Sequence, residues 1–334
     1  MSVVNLLRPT SERDDVVLTL LDNMIWPILA LTLVGVMVLV PQTFRNLRSV
    51  ELLLHGSVGL GFLVLAESIC LISGHFDLSI GSIAGFSAML TALMLSPSKW
   101  ALFSDPILGF LVILAVGTVI GSTNGVMISK LGVNPFLQTL AFLIIFEGLK
   151  ISLSSLPVSD LPEGYTVVGS TPEYAIGLLL VTFAVAAVLM SQTNIGQAIY
   201  ALGSEKESAR AVGINTDRMI IAVYGLSGLL SAMGGLMLTG FTTTVSPETA
   251  SGMVFPAFAA AVIGGISLFG GRGKVSGALG GVLLLSVIQS ALNLSGVGIA
   301  QIQAVNGAVL LVAILLYNTR STIRQRVLAA EVSQ

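Results

Sequence analysis

Charge is scarce in this sequence, and cysteine and histidine are scarcer still. Only 10% of its 334 residues are Asp, Glu, Lys or Arg while 54% are hydrophobic. A water-soluble fold of that composition would expose large apolar patches, so the bilayer is expected to be the solvent for most of the chain. Cys70 is the single cysteine, which excludes an intramolecular disulfide; inside an apolar run it reads as a small buried residue. Two histidines, His55 and His75, are too few for a His-based metal site. A net charge of -2 leaves no electrostatic footprint for nucleic acid. Catalytic motifs are missing as well: there is no G-x-S-x-G, no H-E-x-x-H, and no carboxylate pair with an associated histidine. The nearest approach to a phosphate loop, Gly270-Gly271-Arg272-Gly273-Lys274-Val275, carries Leu268 at the first glycine position and Val275 in place of Ser or Thr. The chain is therefore expected to be no enzyme, to hydrolyse no ATP itself, and to hold neither metal nor cofactor. A cleavable signal peptide is not expected either, because the first apolar run starts near residue 24 behind the acidic stretch Glu12-Arg13-Asp14-Asp15.

What is present is a succession of apolar runs, and the mean hydropathy is +0.95. A helix needs about 20 apolar residues to cross the hydrocarbon core. Candidate spans fall at 24–40, 52–72, 79–95, 107–128, 136–155, 174–190, 219–240, 257–268, 275–294 and 303–317. The expected fold is all-α and polytopic, with about ten transmembrane helices, some short or broken. The under-length run 257–268 follows Pro256 and reads as half of a broken helix. With ten spans and a cytoplasmic N-terminus, inside segments hold Arg8, Arg13, Lys130, Lys206, Arg210, Arg218, Arg272, Lys274, Arg320, Arg324 and Arg326, whereas outside segments hold Arg45, Arg48, Lys99 and Lys150. This eleven-to-four bias places both termini, and the loop 191–218, in the cytoplasm. The Arg45 and Arg48 pair runs against it. The expected organisation is thus a cytoplasmic N-terminal segment over 1–23, a transmembrane unit over 24–317 and a cytoplasmic tail over 318–334.

Small residues recur at helix-packing spacing, Gly117, Gly121 and Gly125 on one ridge and Gly81 and Gly85 on another, which reads as close helix approach in lipid. Three acidic residues sit in or beside apolar runs. A charge at the bilayer centre costs about 2.5 to 3.5 kcal/mol on insertion scales, so Glu67, Asp77 and Glu147 should face protein or water. Asp77, in the segment Ser73 to Gly81, either caps a helix N-terminus or lines a pathway. Glu67 and Glu147 either line a polar pathway or meet an internal partner.

The element SGHFDLSIGS, Ser73 to Ser82, resembles the S-G-x-x-D-L-S-V-G-S element of ribose-type sugar permeases of ABC importers, in the branched-chain amino acid and sugar permease superfamily. NGVMISKLGVNPFLQTL from Asn124, YALGSEKESARAVGIN from Tyr200 and AAVIGGISLFGGRGKVSGALGG from Ala260 follow in the family's order, so the resemblance covers roughly residues 45 to 317. It implies a type II ABC-importer-like bundle in the plasma (inner) membrane, translocating a sugar or sugar-like polyol. The partners implied are cytoplasmic ATP-binding subunits that hold ATP and Mg, an extracytoplasmic substrate-binding protein, and a second permease copy or paralogue. The family's cytoplasmic coupling segment falls on Gly203 to Ile214, which carries over Gly203, Glu207, Ser208, Ala209, Arg210, Gly213 and Ile214 as ATPase-coupling residues. Glu67, Asp77, Asn124 and Glu147 are the candidates for the substrate pathway. Departures from the family pattern are Ser204 and Glu205 for a Gly-Asn pair, Ser208 for an Ala, Glu147 for a common Arg, and Val254 and Pro256 for an acidic pair. Two rival readings are a branched-chain amino acid or nucleoside permease, against which the run Phe76-Asp77-Leu78-Ser79 speaks, and an ion-coupled secondary transporter, in which the buried acids would be ion sites.

Overall fold

The structure, a computed structural model, describes residues 23–333; Arg8 and Arg13, and most of the expected segment 1–23, lie outside the described residues. Thirteen α-helices are formed among them. They are α1 Ile25–Leu39, α2 Leu47–Ile72, α3 Ile80–Leu95, α4 Pro106–Lys130, α5 Pro135–Leu153, α6 Glu163–Ser170, α7 Pro172–Gln192, α8 Asn194–Ser204, α9 Lys206–Ala211, α10 Thr216–Thr242, α11 Val254–Ile263, α12 Val275–Leu294 and α13 Ile299–Ser333. Six of them, α2, α4, α5, α7, α10 and α12, are long and apolar enough to cross a membrane. Shorter apolar helices lie at Ile25–Leu39, Ile80–Leu95, Val254–Ile263 and Ala300–Leu316.

Helix starts follow local chemistry. Asp105 accepts from the amides of Ile107 and Leu108, Asn134 from those of Phe136 and Leu137, and Asn215 from that of Arg218, so orphan donors of the first turn are satisfied. Pro106, Pro135 and Pro172 open α4, α5 and α7, where a missing N–H costs nothing.

The helices differ sharply in burial. In the apolar windows of α2 and α10, 83% and 67% of residues are buried, against 28% in α4, 17% in α5 and 22% in α7; α2 and α10 therefore form the centre. The expected Gly117, Gly121 and Gly125 ridge packs α4 antiparallel on α10. A Cβ on Gly121 would fall against Tyr224 O, one on Gly117 against Gly228 O, and one on Gly125 would lie 2.7 Å from Ile221 Cα. Backbones this close replace the missing hydrophobic drive with dispersion contacts. The Gly81 and Gly85 ridge is different, because the backbone nearest to it is not helical. Gly81 faces Ala250 O and Gly85 faces Thr249 O, so it accommodates the non-helical segment 243–253, which Val158 pins through paired bonds with Val245 of 2.8 and 3.0 Å.

One further expectation needs correcting. The helix expected over 257–268 begins earlier, at Val254, and ends at Ile263; Pro256 sits inside its first turn, where proline is tolerated. The glycines that follow turn the chain, with Gly265, Gly270, Gly271 and Gly273 all at positive φ. Residues 318–333 continue α13 without a break.

Candidate functional site

Three helices leave a common end of the bundle with interrupted backbone. At this end α8 runs against the turn after α2 and the turn after α11. Gly203 sits where these three segments cross, since a Cβ there would strike Ile72 O and come within 2.7 Å of Gly271 N. Gly74, with φ of 79°, and Gly270, with φ of 83°, close on the same point. The Gly271 amide donates to Ile72 O at 2.8 Å, and the Tyr200 hydroxyl of α8 donates to Gly273 O at 2.7 Å. Partial burial raises the Tyr200 hydroxyl above its ordinary value; a phenol is a donor at neutral pH with or without that shift. The amphipathic helix α8 is thereby fixed to both helix interruptions at once.

Beyond this knot, α9 stands outward. Glu207, Ser208, Arg210 and Gly213 are at the surface, Ile214 is half-buried and Ala209 is buried against the bundle. The helix ends as the family resemblance implies: Gly213, at φ of 89°, donates to Arg210 O at 3.0 Å, and Ile214 donates to Ala209 O at 3.1 Å. This pair of bonds is a Schellman closure, in which glycine takes the left-handed position. Arg210 lies 3.7 Å from Glu207 and 3.8 Å from Asp217, and Lys130 pairs with Asp217 at 2.8 Å. Gly203 and Ala209 thus face the bundle, whereas Glu207, Ser208, Arg210 and Gly213 present the outer face, together with Val212, which is 78% exposed.

The candidate pathway residues do not form one lining. Asp77 is fully buried. Its Oδ1 accepts from the Ser79 amide at 3.0 Å and the Ser79 hydroxyl at 2.5 Å, and its Oδ2 accepts from Ser227 of α10 at 2.7 Å. It does accept an orphan amide, as expected of a cap, yet the residue in N-cap position is Ser79, whose side chain makes no cap bond. Asn124, also buried, donates to Ser79 Oγ at 2.9 Å and accepts from Gln138 at 3.3 Å. Asp77, Ser79, Asn124, Gln138 and Ser227 therefore form a continuous polar chain joining α3, α4, α5 and α10. Glu67 lies nearby, fully buried, and neither of its carboxyl oxygens has a hydrogen-bond partner among the described residues. Glu147 stands apart, 24% exposed on α5, paired with the buried Lys150 at 2.8 Å. Cys70 is buried, and His55 Nε2 lies 2.7 Å from Gly169 O.

Residues 50–317 match the family described as branched-chain amino acid transport system, permease component. The chain belongs to that family. It is 31% identical over 293 residues to the ribose import permease protein of Bacillus subtilis, covering 86% of this chain and 89% of the relative. It is 30% identical to the L-arabinose transport system permease protein of Escherichia coli, covering 86% and 88%, and 28% identical to the galactose/methyl galactoside import permease protein of Haemophilus influenzae, covering 86% and 91%. No solved structure matches the chain.

In this family member, sequence reasoning located α9 and its terminal glycine but missed the crossing beneath them. The signal was present in Gly74 and in the tandem Gly270-Gly271, whose value as a phosphate loop fails and whose value as a turn does not. Tyr200 and Lys150 carried no signal, because a single tyrosine or lysine in a helix is unremarkable until its partner is known.

Proposed function

We propose that this protein is the membrane-embedded permease subunit of an ATP-driven importer for a sugar or sugar-like polyol. In this reading the chain crosses the plasma (inner) membrane ten times, with both termini and the segment 191–218 on the cytoplasmic side. It works as a pair of permeases with two ATP-binding subunits that hold ATP and Mg, fed by an extracytoplasmic binding protein. The ten crossings are the six long helices and the four shorter apolar ones; α11, at ten residues, spans only about 15 Å, and the segment 243–253 completes its passage. The basic bias supports the orientation.

The observation that carries the proposal is the glycine crossing at Gly203. An outward-facing short helix tied rigidly to the ends of two interrupted helices is what a permease needs if a motor outside the membrane is to move its core. In this reading Gly203 and Ala209 transmit, while Glu207, Ser208, Arg210, Gly213 and Ile214 seat the ATPase. The names of the relatives support sugars as the substrate class.

The test is uptake by cells expressing the full transporter, with the ATPase subunit either intact or inactivated in its catalytic site. Loss of uptake with the inactive ATPase is expected. Uptake that survives would move the assignment to an ion-coupled transporter, in which the unpartnered Glu67 is the ion site.

A further inference from the structure

The pair Glu147 and Lys150 is built differently from the other polar clusters. The Lys150 ammonium is completely buried and fully engaged: 2.8 Å from Glu147 Oε2, 2.8 Å from Ser251 Oγ and 3.1 Å from Thr249 O. Ser251 in turn donates to Glu147 Oε2 at 3.0 Å. Room for the lysine comes from Gly85, where a Cβ would sit 3.0 Å from both Lys150 Cδ and Nζ. One carboxylate oxygen therefore has two fixed donors. The other, Oε1, receives no hydrogen bond from the described residues, and the side chain is part-exposed.

An ionised carboxylate held this way on an apolar helix needs a polar environment on its open side. Replacing a buried ion pair by apolar residues is often neutral or stabilising, so stability alone gives no reason for the cluster. Next to Glu147 in the chain, Phe146 belongs to a cluster of three half-buried rings, tilted at 52° and 78° to one another. Phe146 lies 5.0 Å from Phe86 and 5.3 Å from Phe142 between ring centroids. Gly148, the next residue after Glu147, has open space where a Cβ would be. A rigid acceptor one residue from an aromatic cluster offers the two kinds of group that a sugar uses: the carboxylate takes hydroxyl donors, and the edge of Phe146 offers apolar contact to C–H groups. The negative charge at Oε1 disfavours anionic ligands.

We infer that Glu147 Oε1, anchored by Lys150 and Ser251 and flanked by Phe146, is a hydroxyl-binding subsite for a neutral sugar on the translocation route. This rests on the reading of the protein as a sugar importer and adds to it the group that reads the substrate inside the membrane. Because the anchor is a charged pair, loss of the Glu147 charge weakens hydroxyl recognition selectively.

The experiment measures uptake by the full transporter of D-ribose, L-arabinose and D-galactose, and of singly deoxygenated analogues of whichever is carried, at concentrations that saturate the binding protein. The parent transporter is expected to prefer the parent sugar over at least one deoxy analogue. E147Q should reduce uptake of the parent sugar about tenfold, the effect of removing one charge-assisted hydrogen bond, while changing that analogue's uptake little, so the preference collapses. If E147Q does not assemble, S251A is read instead: it keeps the ion pair, frees the carboxylate from its second anchor, and should reduce the same preference. Assembled variants that keep the parent preference would overturn the subsite and leave the sugar importer intact. A parent transporter that carries none of the three sugars, nor any other sugar or polyol offered beside them, would overturn both.

Discussion

Replacing Asp77 separates a structural carboxylate from one on the substrate route. In Asp77→Ala, the Ser79 amide and the Ser79 hydroxyl proton lose their acceptor in a site with no exposure. Ser227 can recover, since a helical serine can turn its hydroxyl to the carbonyl four residues earlier. Two buried donors are left stranded, at about 1 to 3 kcal/mol each, so the loss is about 2 to 6 kcal/mol. In Asp77→Asn, the amide oxygen still accepts both bonds from Ser79, and the amide nitrogen donates to Ser227 Oγ, which can act as acceptor. The bonds weaken from charge-assisted to neutral, by about 1 kcal/mol each, but the cost of burying a charge, several kcal/mol, disappears with it. The two changes offset, and Asn should stay within about 1 kcal/mol of the parent.

The assay is thermal unfolding of the purified permease in detergent, together with uptake normalised to assembled complex. We expect Asn to melt near the parent temperature and to transport, and Ala to melt several degrees lower with less complex recovered. An Asn variant that assembles normally and transports nothing would refute a structural role and put the carboxylate in contact with substrate. Equal destabilisation by Asn and Ala would refute the hydrogen-bond arithmetic.

The remaining expectations concern the crossing, the outer helix, the ridge and the orientation. Gly203→Ala forces a Cβ onto Ile72 O and within 2.7 Å of Gly271 N, an overpacking of about 1 to 3 kcal/mol; uptake per assembled complex should drop while ATPase subunits remain bound, and unchanged uptake would show that α8 is not a relay. Gly213→Trp has open space but an unfavourable backbone at φ of 89°; it should insert normally and fail to retain the ATPase in pull-down, whereas Gly213→Ala should lose only about 1 kcal/mol. Gly121→Leu drives α4 off Tyr224 and Gly228, and the recovered protein should melt lower than Gly35→Leu, whose added Cβ meets nothing. With Cys70 replaced, single cysteines at Glu163 and Thr243 should react with an impermeant maleimide in intact cells and those at Lys206 and Arg324 should not; the opposite pattern reverses the orientation.

Much of the helix layout is readable because two signals coincide along the chain. Runs such as 107–128 are bounded by Asp105-Pro106 and Asn134-Pro135, where cap and proline chemistry fix the start to within a residue or so. Gly117, Gly121 and Gly125 announce close packing, although the helix that accepts them is visible only in three dimensions. The segment 243–253 and the short helix α6 were not legible, since neither has a periodic apolar pattern. At the sites, Asp77 reads as an acceptor, but its bond from Ser227 spans 150 residues. Glu147 reads as a charge needing a partner; Lys150 lies only three residues on, yet the pair closes because Gly85 on another helix makes room.

The two polar sites and the glycine crossing all engage the segments that lead into or out of α3 and α11. A continuous helix changes shape only with loss of internal bonds, so a membrane protein moves most readily where its helices are already broken. Gly74 and Gly270, which touch at Gly203, close the turns at the α8 side of α3 and α11 respectively. Asp77 lies three residues beyond Gly74 and holds the start of α3 to α10 through Ser227. The segment feeding α11 carries Thr249 and Ser251, which hold Lys150 on α5. A displacement of α8 would therefore act on α3 and α11 together, while Ser227 and Lys150 anchor their neighbouring ends to the long helices α10 and α5. Relative movement would concentrate between these anchors, where Phe86 of α3 meets Phe146 of α5, placing the step driven from outside the membrane on the helix that carries the groups inferred to read the sugar.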